Sequence, residues 1–324
     1  MTMIEEVPTI DLSGSREENA IAVDAALRKF GFFYVSNHGV DLDLIREQFD
    51  MSDDLFGLPQ QVKEKDMGPF NSNLDIGYVG SGTQVLDQGL GAESNSVQEA
   101  PDTKEQFMMT NNKIITDRSS KTNPNDIFEG SKNYTVPLPN HHRVSRAYTS
   151  AVYRLNLVLN ELLFDALGLS DDERTTLGSE PFTVFKQMKY AGEPSDPAKG
   201  KFGAGAHTDW GSFTVLATDM TPGLQVHMFD RWLPIPPKPG CLIINSGDQI
   251  AQLTNNVYRS ALHRVVTTSR KPRFSTAFFT YFNLDAKVGP LPPFITEENP
   301  PQYPLDRTTL QYFHFKLKES FNVD

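Results

Sequence analysis

One cysteine in 324 residues, Cys241, rules out an intrachain disulfide and the small stapled folds of secreted proteins. No apolar run approaches the roughly 18 residues needed to cross a bilayer as a helix, so no membrane partner is expected. Positive charge is scarce: 30 Lys and Arg against 41 Asp and Glu give a formal net charge of -11. That balance opposes non-specific attraction to nucleic acid or to an anionic membrane surface. The tightest basic group, Arg259, Arg264, Arg270, Lys271 and Arg273, reads as the flank of a ligand-binding strand. The start, MTMIEEVPTID, lacks the basic and apolar regions of a signal peptide, which makes the cytoplasm the expected compartment. Also missing are repeats, low-complexity tracts, a nucleophile elbow, a Walker loop, a dinucleotide fingerprint and any paired-cysteine metal site. Cys241, in the apolar run CLIIN, reads as a buried structural thiol.

What is present divides into two stretches. Residues 1–139 read as an N-terminal helical and loop region with a short strand at Val7–Leu12, a helix at Glu17–Phe30 and a buried strand at Phe32–Val35. A second helix is predicted over Leu42–Leu55. Residues 67–139 lack sustained periodicity; short strands are expected near Gly77–Val79 and Glu105–Phe107, with the rest forming an active-site cover. Residues 140–324 begin with the longest helix candidate, Asn140–Ala166, whose Val144, Tyr148, Val152, Leu155 and Leu159 form an apolar stripe ended by Gly168. About eight short strands follow, at 182–190, 204–209, 212–217, 224–229, 232–235, 241–246, 262–267 and 274–282. Pro222-Gly223, Pro239-Gly240 and Gly247-Asp248 punctuate them, and a helical tail over Leu305–Glu319 closes the chain. The fold class is mainly β with flanking helices, a double-sheet jelly roll or barrel carrying an N-terminal α/β extension.

The chemistry concentrates in GAHTDWGS. His207 and Asp209 lie two apart on an expected strand, so their side chains share a face. His263 in SALHRVV can complete one face of an octahedron. Two histidines and one carboxylate, with the opposite positions open, suit a non-haem Fe(II) oxygenase. Ten residues on, Arg273 and Ser275 in RFSTAFF repeat the two-residue spacing, and a guanidinium fork with a hydroxyl can grip a carboxylate. Three protein ligands leave three positions: a 2-oxo acid fills two of them and O2 the third. Tyr190, ending FTVFKQMKY, is placed to add a hydroxyl to the carboxylate clamp, although a plain core role suits it equally. The other histidines look uninvolved. His38 sits in a turn, His141 and His142 open a helix facing solvent, His227 ends a strand and His314 lies in the tail. Asp248 reads as a turn former.

These motifs resemble the isopenicillin N synthase-like branch of the Fe(II)/2-oxoglutarate-dependent dioxygenases. VPTIDLS (7–13), FGFFYVSNHGV (30–40), IGYVG (76–80) and DTKEQF (102–107) are similar to its N-terminal landmarks. HTDWGSFTVLATD (207–219), PGLQV (222–226), NSGD (245–248), HRVV (263–266) and RFSTAFF (273–279) match its catalytic core. The resemblance implies a distorted double-stranded β-helix with helices on its major sheet. It implies Fe(II) on His207, Asp209 and His263, with 2-oxoglutarate held by Arg273, Ser275 and Tyr190. It also implies oxidation of a C–H bond in a small molecule of specialised metabolism, by hydroxylation, desaturation or cyclisation, with release of succinate and CO2. Family members that halogenate lack the metal carboxylate, so Asp209 argues against that outcome. One departure is clear: the family's Asn-x-Tyr-Pro is Met188-Lys189-Tyr190-Ala191 here.

The expected substrate pocket comprises Tyr78, Trp210, Leu216 and Phe282. An anionic substrate would need a further cation, for which Lys104 and Arg118 are candidates. The alternatives are an oxidase of the isopenicillin N synthase type that does not use 2-oxoglutarate, and a non-catalytic ligand-binding protein. A monomer is expected.

Overall fold

Residues 6–67, 77–84, 86, 101–110 and 136–321 are described by the computed structural model, and Arg118 lies outside them. In chain order they form β1 (Thr9–Asp11), α1 (Arg16–Lys29), β2 (Phe32–Ser36), α2 (Leu42–Gly57), α3 (Gln60–Asp66), β3 (Gly77–Val79) and β4 (Lys104–Thr110). There follow α4 (His141–Leu167), α5 (Asp171–Gly178), β5 (Phe182–Tyr190), β6 (Ala204–His207), β7 (Phe213–Thr218) and β8 (Leu224–Met228). The chain ends with β9 (Arg231–Pro234), β10 (Leu242–Ser246), α6 (Asp248–Leu253), β11 (His263–Val265), β12 (Arg273–Tyr281) and α7 (Thr309–Phe321).

Two sheets build the double-stranded β-helix. The major one runs β1-β2-β10-β7-β12-β5-β4-β3, and the minor one β6-β11-β8-β9. Among the described residues β1 and β2 pair in parallel, and every other neighbouring pair of strands is antiparallel. β2, β3 and β4 extend the sheet that β5, β7, β10 and β12 form, so the N-terminal stretch is continuous with the catalytic barrel.

The outer face of the major sheet is covered by α1, α2 and α4. Ser15 and Glu18 form a reciprocal capping box at the start of α1, which defines where that helix begins. Along α4, Val144, Tyr148, Val152, Leu155, Leu159 and Leu163 are buried at helical spacing. Each such residue contributes roughly 1.5–3 kcal/mol by leaving water. Gly168 ends the helix at φ 65°, a left-handed cap that glycine adopts without steric penalty.

Three short helices were not anticipated: α3, α5 and α6. The first two carry no apolar stripe, and α6 is too short to show one. α5 is set instead by the Ser170–Glu173 capping box. The expectation for His141 is also corrected. It is buried, with Nε2 at 3.1 Å from the Gln187 amide nitrogen and its ring against Phe107, because the first turn of α4 dips into the space between α2 and β5. His38 behaves as expected, its Nδ1 accepting from the Val40 N–H. Cys241, expected to be buried, is only half-buried, because it precedes β10 at the margin of the cluster around Phe32 and Tyr34.

Candidate metal centre and co-substrate site

β6 and β11 pair so that His207 stands directly opposite His263, with ring centroids 4.3 Å apart. β6 ends at His207, and the next residues are held in a bend by the start of α6. The Asp248 and Gln249 N–H groups donate to the carbonyls of Asp209 and Gly211 at 2.7 and 3.0 Å. Two glycines permit this close stacking. A Cβ on Gly211 would sit 2.1 Å from the Thr280 carbonyl, and one on Gly247 2.4 Å from that of Gly211. The bend brings the Asp209 Oδ1 to 3.9 Å from the His207 Nε2 and 3.8 Å from the His263 Nε2. All three candidate ligand atoms lie within 4.8 Å of one another.

The surrounding hydrogen bonds leave the right atoms for a metal. His207 Nδ1 is 2.8 Å from the Gly205 carbonyl and His263 Nδ1 2.9 Å from the Ala261 carbonyl. A carbonyl only accepts, so each Nδ1 carries the proton and each Nε2 offers a lone pair. Asp209 Oδ2 accepts from Thr214 Oγ1 at 2.5 Å and from Asn245 Nδ2 at 2.7 Å, which leaves Oδ1 facing the imidazoles. Burial, and then the neighbouring His263, push the His207 imidazole down to about 3, so it is neutral at physiological pH. Burial alone would raise the Asp209 carboxyl. The two imidazoles and the Thr214 and Asn245 hydrogen bonds reverse this and hold it below the usual carboxylate range. Two imidazole nitrogens and one carboxylate oxygen, set close together, fit a divalent iron.

A cavity of roughly 960 Å³, counting its open mouth, extends from this cluster between the two sheets. Counting by twos along β12, Arg273, Ser275, Ala277, Phe279 and Tyr281 all face it. Arg273 is 2% exposed, stacks its guanidinium 4.8 Å from the Tyr190 ring centre and donates from Nε to the Thr221 carbonyl at 3.1 Å. Its Nη1 is buried and has no hydrogen-bond partner. Ser275 Oγ lies 3.5 Å from the Tyr190 hydroxyl. A buried guanidinium nitrogen left unpaired beside two hydroxyls is a cradle for an anion. At Met188, where the family motif has asparagine, the thioether sulfur lies 3.6 Å from the Tyr190 hydroxyl.

Of the four residues expected to line a substrate pocket, two face this cavity and two do not. Trp210 and Leu216 line the cavity. Trp210 follows a ligand and would face away on a straight strand; the bend after His207 turns it inward, where Phe313 of α7 packs on it at 6.2 Å. Phe282 does not line the cavity. It has the opposite parity to Arg273 and is fully buried against Phe164 of α4. Tyr78 is also absent from the wall. It pairs with Phe107 in register, so it faces the helices, and its hydroxyl donates to Glu105 at 2.6 Å. Lys104 does line the cavity, together with Gln84, Gln106 and Lys186. Sequence reasoning gave Asn245 and Thr214 no role. Their signal lay in pairing, since they are register partners on β10 and β7.

A cluster of two histidines and one carboxylate beside a buried cationic cradle, inside a double-stranded β-helix, defines a non-haem iron oxygenase that uses a 2-oxo acid. Comparison with known proteins agrees. Residues 181–281 match the 2OG-Fe(II) oxygenase superfamily, and residues 7–129 match the non-haem dioxygenase N-terminal region named from morphine synthesis. Flavonol synthase/flavanone 3-hydroxylase of Arabidopsis thaliana is 30% identical over 305 residues, covering 92% of this chain and 82% of the relative. Gibberellin 20 oxidase 4 of the same plant is 31% identical, covering 89% and 74%. The crystal structure of JOX2 in complex with 2OG, Fe and JA superposes with a TM-score of 0.74 at 27% identity, over 95% of this chain and 84% of that one. The dioxygenase for auxin oxidation in rice reaches a TM-score of 0.72 over 97% of this chain and 96% of that one at 24% identity, a likeness of fold. The chain belongs to the 2OG-Fe(II) oxygenase superfamily: it is an Fe(II)- and 2-oxoglutarate-dependent dioxygenase that oxidises a small organic molecule.

Proposed function

We propose that His207, Asp209 and His263 hold the iron, and that Arg273, Ser275 and Tyr190 bind the distal carboxylate of 2-oxoglutarate. The observation that carries this reading is the unpartnered Arg273 Nη1, buried in the wall of the cavity that also contains the His207–Asp209–His263 cluster. When bound, the iron supplies the O2 and one-electron chemistry that couples decarboxylation of 2-oxoglutarate, to succinate and CO2, with oxidation of a C–H bond. The protein's own part is placement. His207 and His263 present Nε2 because the Gly205 and Ala261 carbonyls fix their tautomers. Asp209 presents Oδ1 because Thr214 and Asn245 occupy Oδ2. Arg273 neutralises the distal carboxylate, while Ser275 and Tyr190 donate to it, and this orients the 2-oxo end toward the histidines. Trp210, Tyr281 and Phe313 pack together at one end of the cavity and exclude water there.

Relatives named for flavonol, flavanone and gibberellin chemistry support a small organic substrate of specialised metabolism. We read residues 1–139 as cover and residues 140–324 as core, because Gln84, Leu86, Lys104 and Gln106 of the first stretch reach the cavity of the second. The same reading takes the enzyme as a cytoplasmic monomer without nucleic-acid or membrane partners, in keeping with its net charge of -11. Anaerobic addition of Fe(II) and 2-oxoglutarate tests the assignment through the visible metal-to-ligand charge-transfer band. The band should form in the native protein, disappear in His207→Ala and need at least a hundredfold more 2-oxoglutarate in Arg273→Met. An unchanged 2-oxoglutarate requirement in the arginine variant would refute the clamp.

A further inference from the structure

The cavity has two unlike walls. Leu216, Leu224, Val265 and Phe279 make one of them mainly apolar, with the Lys186 ammonium as a cation 5.3 Å from the Phe279 ring centre. The other is an edge of the major sheet, where Lys104 and Gln106, two apart on β4, face inward beside Gln84. Lys104 is 4% exposed, and its ammonium pairs with the fully buried carboxylate of Asp102. Asp102 is anchored a second time. Its Oδ1 accepts the Gly205 N–H at 3.0 Å, on the strand that carries His207. The neighbouring Thr103 N–H donates to the Phe202 carbonyl, so this corner closes the gap between the major and minor sheets. A lysine ammonium has three donors, and among the described residues the contacts of Lys104 engage one of them, with Asp102. Gln106 donates its amide to Gln84 Oε1 at 2.9 Å, which continues the polar edge.

The charge of this corner decides what it can read. Arg273 is matched by the distal carboxylate of 2-oxoglutarate on the reading above. Lys104 is matched by Asp102, so its remaining N–H groups are strong donors without an uncompensated positive charge behind them. A substrate carboxylate brought there would be desolvated against a neutral ion pair and would meet the Asp102 charge. An uncharged carbonyl oxygen loses far less hydration and gains a charge-assisted hydrogen bond.

We propose that Lys104 is a specificity residue of this dioxygenase, reading an uncharged carbonyl oxygen on an otherwise apolar substrate, with Asp102 setting that preference for neutral over acidic groups. The proposal rests on the iron and 2-oxoglutarate assignment above. It adds the chemical class of the substrate: a ketone, lactone, lactam or ester whose carbon skeleton lies against Leu216 and Phe279, in place of a carboxylic acid.

The test is anaerobic calorimetry on the protein loaded with Fe(II) and saturating 2-oxoglutarate, using acetophenone and benzoate as probes that share a ring and differ in charge. Native protein should bind acetophenone at least tenfold more tightly than benzoate. Lys104→Met should lose about tenfold in acetophenone affinity, the size of one hydrogen bond from a charged donor. Asp102→Asn keeps an oxygen for the Gly205 N–H but removes the negative charge, and should shift the preference toward benzoate by tenfold or more. Tighter binding of benzoate by the native protein would overturn the proposal, as would an unaltered preference in a folded Asp102→Asn protein. So would a fall in 2-oxoglutarate affinity in Lys104→Met, followed separately by the charge-transfer band, because it would place Lys104 in the co-substrate site. Failure of the native protein to form that band at all would instead strike the underlying iron and 2-oxoglutarate reading. Circular dichroism melts of both variants establish that the binding changes belong to folded protein.

Discussion

Asn245 donates its side-chain amide to the Asp209 Oδ2 across 2.7 Å, and Thr214, its register partner on β7, donates to the same oxygen. The two donors come from the major sheet, whereas Asp209 sits on the loop leaving the minor sheet. They therefore fix the carboxylate's rotation across the barrel. Asn245→Leu is predicted to weaken Fe(II) binding by about 10–100-fold, the usual range for losing such an orienting partner. Thr214→Val should act in the same direction, and Thr214→Ser should stay near native. Anaerobic Fe(II) titration reads all three, and native affinity in Asn245→Leu would count against an orienting role.

Arg273 carries a second consequence, in stability. A guanidinium that is 2% exposed with an unpartnered Nη1 is unfavourable until an anion arrives. Without co-substrate, Arg273→Met should therefore melt at the native temperature or above it. Native protein should gain about 2.7 kcal/mol when 2-oxoglutarate is present at a hundred times its dissociation constant, and the variant none at that concentration. Thermal melts with and without 2-oxoglutarate measure both effects. A variant that melts well below the native protein without ligand would show that the arginine is structural.

The candidate site was legible where its chemistry is local. His207 and Asp209 lie two apart in sequence, but the strand expected over 204–209 stops at His207, and the bend after it brings Asp209 to the imidazoles. Arg273 and Ser275 have the same spacing on β12, and there strand geometry turns it into a shared face. The same rule was available for Phe282 and would have excluded it, because steps of two from Arg273 reach Tyr281 and miss Phe282. Asn245, Thr214 and Lys104 were harder. Their roles depend on which strands become neighbours and on the β4–β6 seam, long-range facts that periodicity does not encode. The strand at 182–190 was legible to the residue, as a short run bounded by turn residues and buried at seven of its nine positions. α6 was not, because six residues are too few to show a helical period.

Close backbone stacking at the metal loop gives a third prediction. A Cβ on Gly211 would meet the Thr280 carbonyl at 2.1 Å, and a backbone oxygen cannot swing away as a side-chain end can. Gly211→Ala should destabilise the protein by roughly 1–3 kcal/mol and weaken Fe(II) binding, because β12 and the Asp209 loop must separate. Gly57, at the end of α2, has nothing within 4 Å of its Cβ position. Gly57→Ala should be neutral or mildly stabilising by up to about 1 kcal/mol. Urea melts compare the pair, and equal stabilities would remove the steric account.

The buried His141 predicts a pH dependence with a definite sign. Burial, and then the adjacent His142, push its imidazole down to about 4 from the ordinary 6.5. The unfolded chain therefore takes up this proton at higher pH than the native protein does. The stability conferred by a neutral His141 is complete above about pH 6.5 and is lost as pH falls through 4. The shift corresponds to a loss of about 3 kcal/mol across that window. His207 titrates in the same direction, so the iron-free native protein alone would not separate the two. His141→Gln keeps a polar partner for Gln187 and does not titrate. Denaturant melts of the iron-free variant and native protein at pH 7, 5.5 and 4.5 isolate the His141 contribution as their difference. The variant's stability should fall less steeply with acid, and parallel pH profiles would show that His141 protonates at the same pH in both states.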